Sequence, residues 1–129
     1  IIDSEITAGH YGVNVASENV DPVLNIKDST LTGYCAFQTW SANTVATFDN
    51  CVLNGVNKWS GETNAFATIV VNDTAVNSTL TFNNCTITAT ATGDQPEYHV
   101  INNAEAAIEF NDCTFIDNGE VVGEAVKAN

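Results

Sequence analysis

The chain has 129 residues, of which 16 are acidic and 3 basic, giving a formal net charge of −13. Its cations are Lys27, Lys58 and Lys127, with no arginine, so it cannot neutralise a run of phosphates and is repelled by anionic membranes and polyanionic sugars; nucleic acid and membrane insertion are excluded as partners. Hydrophobic residues make up 44% of the chain, enough for one core over residues 1–129, and no apolar run approaches the ~20 residues of a bilayer span.

In chain order, five segments superimpose. They are Ile1-Ile2-Asp3-Ser4-Glu5-Ile6, Ile26-Lys27-Asp28-Ser29-Thr30-Leu31, Phe48-Asp49-Asn50-Cys51-Val52-Leu53, Phe82-Asn83-Asn84-Cys85-Thr86-Ile87 and Phe110-Asn111-Asp112-Cys113-Thr114-Phe115. Their starts are separated by 25, 22, 34 and 28 residues, so the shortest step is a bare coil and longer steps carry insertions. The first column is always large and apolar. From the second segment on, an apolar residue stands two places earlier (Leu24, Ala46, Leu80, Ile108), which is the alternation of a strand. The third column holds only Asp or Asn, residues that tolerate left-handed backbone angles, and is predicted to be a turn. Ser or Cys fills the fourth column, small and inward. The sixth is apolar again (Ile6, Leu31, Leu53, Ile87, Phe115), so a second strand follows the bend.

A third strand is predicted at Tyr11 to Ala16, Cys35 to Trp40, Phe66 to Val71 and Tyr98 to Asn103, each rich in aromatic or β-branched residues. A last strand-like stretch runs from Gly123 to Lys127. Three short strands per coil describe an all-β, right-handed, single-stranded parallel β-helix of about five coils, stacked about 4.8 Å apart. With no Met and no capping helix, the chain is expected to be a single β-helix domain cut from a longer surface protein, whose open ends invite end-to-end self-association.

The segments Phe82-Asn83-Asn84-Cys85-Thr86-Ile87 and Leu24-Asn25-Ile26-Lys27-Asp28-Ser29-Thr30-Leu31 resemble the pectin-lyase-like right-handed parallel β-helix repeats of bacterial cell-surface and adhesin-like proteins. That resemblance implies a secreted or wall-attached, extracellular protein with a structural or adhesive role. The expected partner is a glycan or protein surface of a host or cell wall. The alternative it implies is a carbohydrate-binding or polysaccharide-cleaving β-helix.

Cleavage meets two obstacles. Glycoside hydrolysis needs two carboxylates about 5–9.5 Å apart, which stacked Asp3 and Asp28 could supply, but their column accepts Asn in the third and fourth repeats and is therefore a turn column. Lyases of the resembling fold grip uronates with calcium and Arg or Lys; here arginine is absent and the lysines are scattered. We therefore expect a non-enzyme with no catalytic residues. His10 and His99 belong to coils about 14 Å apart and read as single surface or strand histidines. Cys51, Cys85 and Cys113 share one column, open to buried thiols, to a Cys51–Cys85 or Cys85–Cys113 disulfide or, as the least favoured reading, to metal binding. Parallel stacking favours thiols, and Cys35 packs in another column.

No cofactor is required, although calcium would find oxygen ligands near Asp112, Asp117 and Glu120. The best binding candidate is the insertion that holds Asn57, Lys58 and Trp59, where an exposed indole would stack on a sugar or seat a partner side chain; the competing reading folds Trp59 back over the coil edge. Outward threonines (Thr79, Thr81, Thr86, Thr88) form a β-rich surface, but the unequal coil lengths argue against long regular ranks of the ice-binding kind.

Overall fold

A computed structural model describes residues 1–56, 66–91 and 97–128, and all regular structure in them is β-strand. The first coil contributes β1 (Glu5–Thr7) and β2 (Tyr11–Val15). The second is β3 (Val23–Lys27), β4 (Thr30–Gly33) and β5 (Cys35–Thr39); the third is β6 (Val45–Asp49), β7 (Val52–Val56) and β8 (Phe66–Val71). The fourth is β9 (Thr79–Asn83), β10 (Thr86–Thr90) and β11 (Glu97–Asn102). The fifth runs through β12 (Ala107–Asn111), β13 (Thr114–Asp117), β14 (Glu120–Val122) and β15 (Lys127–Ala128).

Strands pair with their counterparts one coil away, giving three sheets: sheet A in the order β12-β9-β6-β3, sheet B in the order β1-β4-β7-β10-β13-β14, and sheet C in the order β15-β11-β8-β5-β2. Every pairing is parallel except that of β13 with β14. This is a β-solenoid, a parallel β-helix of about five coils of three strands. The registers follow the repeat columns: Ile26, Phe48, Phe82 and Phe110 stack in sheet A, and Ile6, Leu31, Leu53, Ile87 and Phe115 stack in sheet B. Unequal coil lengths do not interrupt these ranks, because the extra residues fall between strands and not within them. The sequence-based argument from irregular coils therefore fails as a statement about register.

The bend between sheets A and B has a local cause. Asp3, Asp28, Asn50, Asn84 and Asp112 all adopt positive φ, from 48° to 53°. Asp and Asn accept this region at least cost among residues with a β-carbon. The small residue that follows turns its hydroxyl or thiol back on the chain. Ser4, Ser29, Cys51, Cys85 and Cys113 each donate to the carbonyl two residues earlier, at 2.7 to 3.5 Å. Ser and Cys are thus interchangeable in this column because both are small donors.

A second turn column joins sheet C to sheet A. Asp21 (φ 45°), Asn43 (57°), Asn77 (58°) and Glu105 (53°) stand five residues before the first-column residues of their coils. The bend between sheets B and C uses close approach instead. A β-carbon on Gly55 would run into the Thr68 side chain and lie 2.9 Å from the Thr68 Cα, so only glycine fits there.

The core inside the three sheets is layered, with aromatic and aliphatic side chains stacked coil on coil. Phe48 and Phe82 stack with centroids 4.5 Å apart and planes 11° from parallel; Phe82 and Phe110 follow at 5.1 Å and 22°. Phe37 of sheet C meets Phe48 edge-on at 5.0 Å. Beside them Ile26, Leu31, Leu53, Ile69, Leu80 and Ile87 are fully buried. A second apolar cluster forms around Tyr34, Cys35, Ala67 and Val70, with Tyr11, Phe66, Tyr98 and Ile101 packed against it. Val70 is the strand neighbour of the core residue Ile69, so this cluster lies on the outer face of sheet C. That is why every residue of β5 is buried.

The two ends differ. Asn118 (φ 48°) and Gly119 (φ 83°) form a two-residue hairpin that folds β14 back antiparallel on β13. The stretch expected as a strand from Gly123 to Lys127 is strand only at Lys127: β14 ends before it at Val122, and Lys127–Ala128 pairs with β11. Val122 and Ala125 pack on the last core layer. At the other end β1, β2 and β3 are the outermost strands of their sheets, and Ile1 and Ile2 are 45% and 62% exposed.

Candidate functional site

The carboxylates of the turn region are built into amide ladders. Asn50 Nδ2 donates to Asp28 Oδ1 at 2.8 Å, and Asn83 Nδ2 donates to Asp49 Oδ1 at 2.8 Å. Asn111 Nδ2 continues the second ladder onto Asn83 Oδ1 at 2.8 Å. At the other turn column Asn43 Nδ2 donates to Asp21 Oδ1 at 2.7 Å. Placing an amide beside a carboxylate, coil after coil, replaces like-charge contact with a charge-assisted hydrogen bond. Asp3 and Asp28 do become neighbours, since Ile2 bridges Lys27. Yet the Asp28 oxygen nearest the ladder already accepts from Asn50.

All four cysteines are free thiols; Cys35, Cys51 and Cys85 are buried and Cys113 is half-buried. The disulfide alternative for the fourth column is not formed. Each thiol in the column also reaches the first-column carbonyl of the preceding coil: Cys51 to Ile26 O, Cys85 to Phe48 O and Cys113 to Phe82 O, at 3.3 to 3.4 Å. Burial pushes the Cys85 thiol up to about 12, with the neighbouring Cys51 and Cys113 adding to the rise; burial likewise raises Cys51. The thiolate is the reactive form. The native chain at pH 8 should therefore resist alkylation at Cys51 and Cys85 by about tenfold or more relative to the denatured chain, with half-buried Cys113 labelled first, as read by mass spectrometry against time. Because the folded state holds the Cys85 proton to higher pH than the unfolded state does, this contribution to stability is constant below about pH 8.5. It is lost as pH rises toward 12.

The histidines are separate, as the repeat requires, but His99 is not a surface residue. It lies in β11 and is fully buried. Its Nδ1 accepts from the Val126 N–H at 2.9 Å, so Nε2 carries the proton and donates to Ile116 O at 2.8 Å. Both ring nitrogens are thereby used to fasten the segment before β15 to sheets B and C. His10 stacks on Tyr11, centroids 3.9 Å apart, and leans on Tyr34 at 5.3 Å. Tyr34 in turn stacks on Phe66 at 4.2 Å, which makes an aromatic column along the junction of sheets B and C.

Asn57, Lys58 and Trp59, the predicted binding residues, lie outside the described residues. In the sequence, the stretch that contains them joins β7 to β8. For calcium, Asp117 and Glu120 face each other across the hairpin. Among the described residues no three His, Cys, Asp or Glu side chains converge as a metal site. The outward rows of sheet B are Glu5, Thr30, Val52, Thr86, Thr114 and Thr7, Thr32, Asn54, Thr88, Ile116, a rank nearly free of charge in an acidic chain.

Sequence reasoning missed three things that shape the surface: the second turn column, the Asn118-Gly119 hairpin and the exposure of Trp40, which it had placed at a strand end. The first two carried signals, namely Asp or Asn five places before the repeat and an Asn-Gly pair. No protein-family model, curated protein or solved structure matches the chain at a significant level.

Proposed function

We propose that this chain is a non-enzymatic structural and adhesive β-helix module of an extracellular bacterial surface protein, of the pectin-lyase-like kind that its repeats resemble. One observation carries the reading. The polar side chains that the coils bring together bond to one another in ladders (Asn50 to Asp28, Asn83 to Asp49, Asn111 to Asn83) and are spent on stacking the coils. In a solenoid each coil is stabilised by its neighbours, and such ladders make a stiff rod suited to display. The outermost strands β1, β2 and β3 would take a further coil or a second rod end to end.

The alternative, a carbohydrate-binding or carbohydrate-cleaving β-helix, draws support from the half-buried rings of His10, Tyr11 and Phe66 gathered around buried Tyr34, since accessible ring faces are what sugars pack against. A single set of assays separates the readings. Neutral polysaccharides incubated with the chain should release no reducing ends; release that disappears in Asp28→Asn or Asp49→Asn would overturn the non-enzymatic reading. On a glycan array, a specific sugar signal lost in Trp59→Ala would make the module lectin-like.

A further inference from the structure

The corner between sheets C and A carries features that neither the core nor the ladders use. Four loops turn this corner, the last being residues 103–106; the other three, residues 16–22, 40–44 and 72–78, carry those features. Side-chain and main-chain bonds tie them into one surface. Ser41 Oγ donates to Asn19 O at 2.7 Å, Asn43 Nδ2 to Asp21 Oδ1 at 2.7 Å, Asn43 N to Val76 O at 2.9 Å, and Thr74 Oγ1 to Trp40 O at 2.6 Å.

On these loops Val20 is 86% exposed, Val76 45% and Trp40 38%; Val23 and Val45, ladder partners at the start of sheet A, are 69% and 44% exposed. Five of the eight large apolar side chains exposed among the described residues therefore lie on one corner and the strand ends beside it. The turn does not need them. Val20 and Val76 immediately precede left-handed Asp21 and Asn77, and the equivalent places before Asn43 and Glu105 hold only Ala42 and Ala104. Exposed apolar groups gathered in this way mark an interaction surface.

The charges on the same loops indicate what it fits. Glu18, Asp21 and Asp73 are exposed there, and the three loops contain no Lys, Arg or His. A second copy of this chain would bring the same acidic corner and few cations, and a polyanionic glycan would be repelled. A neutral sugar could use the indole but would leave the valines without apolar contact.

We propose that this corner is the docking surface for a basic, apolar-anchored segment of a partner protein, whose Lys and Arg side chains meet Glu18, Asp21 and Asp73 around an aliphatic or aromatic anchor seated on Trp40 and the valines. The inference names a partner for the adhesive reading and rests on it, but it uses side chains that the Trp59 and polysaccharide assays do not touch.

The test uses the full chain and three fluorescent twelve-residue peptides, in which Leu and Trp alternate with Lys, with Ser or with Glu, followed by anisotropy at low and physiological salt. The Lys peptide should bind and the Ser and Glu peptides should not, and physiological salt should weaken the binding. A Val20→Ser/Trp40→Ser variant keeps the net charge and should lose about tenfold in affinity. Val20→Ser alone, at so exposed a side chain, keeps the fold and should lose part of it. Glu18→Gln/Asp73→Asn should also weaken binding, whereas Asp3→Asn/Asp112→Asn, which installs the residue used at Asn50 and Asn84, should not. Equal weakening by the two charge pairs would mean that the Lys peptide merely follows net charge, and the proposal falls. It falls equally if the serine variants bind as the parent does, or if no Lys peptide binds and Trp40→Ser instead removes a neutral glycan signal. In that last case the adhesive reading survives and only the partner is wrong.

Discussion

Phe82→Ala should be among the most damaging single substitutions in this chain, costing about 3–5 kcal/mol in equilibrium unfolding by urea. Phe82 has no exposed surface and is the middle ring of the Phe48–Phe82–Phe110 stack. Its removal opens a void in the layer of Leu80, Ile87 and the two parallel rings; Leu80, Ile87 and Phe48 belong to strands hydrogen-bonded on both edges and cannot collapse inward, and only Phe110 lies on an edge strand, β12. A typical domain is stable by only 5–15 kcal/mol, so the loss is a large share of the total. The damage also has a particular geography. In a solenoid, coupling passes from coil to coil, so a void in the fourth coil weakens the link between the first three coils and the last. Phe110→Ala is the informative comparison. Phe110 is half-buried, with Phe82 on one side and the edge of Phe115 at 5.0 Å on the other, and its truncation should cost clearly less. Equal costs for the two variants, or a Phe82→Ala loss below about 1.5 kcal/mol, would show that the ring column is not the continuous core described here.

The same column shows why so much of the fold was legible. An Asp or Asn followed by a small donor and flanked by apolar residues two places away on each side dictates a turn, an inward side chain and two strands. Five copies then fix the register. The second turn column was harder to read because its chemistry is less uniform: Pro22, Thr44, Ser78 and Ala106 follow the left-handed residue, and Glu105 replaces Asp or Asn. Only alignment at a constant offset from the first column brings it out. The buried outer face of sheet C was illegible for a different reason. Strand alternation predicts one wet face, and nothing local in Cys35-Ala36-Phe37-Gln38-Thr39 says that both faces are covered. The candidate site was the least legible part. The insertion with Trp59 attracted attention through its composition, while Trp40 looked like the end of a strand. Its exposure follows from the tertiary arrangement, because β5 stops one residue earlier and the chain turns the corner there.

The opening charge also acquires a location. Acids occupy both turn columns and the strand end beside one of them; amides from the next coil bond to Asp21, Asp28 and Asp49, and the outward rows of sheet B hold one acid, Glu5. Among the described residues the surplus therefore gathers along the corners. It opposes close approach of two such rods side by side and leaves the sheet face of Thr30, Val52, Thr86 and Thr114 nearly neutral.

His99→Phe should loosen the segment around Val126 at a cost of about 1–3 kcal/mol, because two half-buried backbone groups lose their side-chain partner. Phenylalanine keeps the ring volume and the edge-on contact to Phe115, now 5.4 Å, so packing is held nearly constant. What disappears are the acceptor for Val126 N–H and the donor for Ile116 O. The backbone bond from His99 N to Val126 O, at 2.8 Å, remains. The loss should thus appear first as local opening: amide hydrogens of residues 126–128 should exchange faster, while those of β7 and β10 in the middle of sheet B change only with global stability. His99→Gln supplies an amide that can replace one of the two bonds and should recover part of the protection. Unchanged exchange at Val126 in the Phe variant would mean that β15 is held by its pairing with β11 alone, and that the buried imidazole is only filler. Faster exchange confined to this segment would identify the ring as the clasp that holds the chain against the last described coil once it has come round the β13–β14 hairpin.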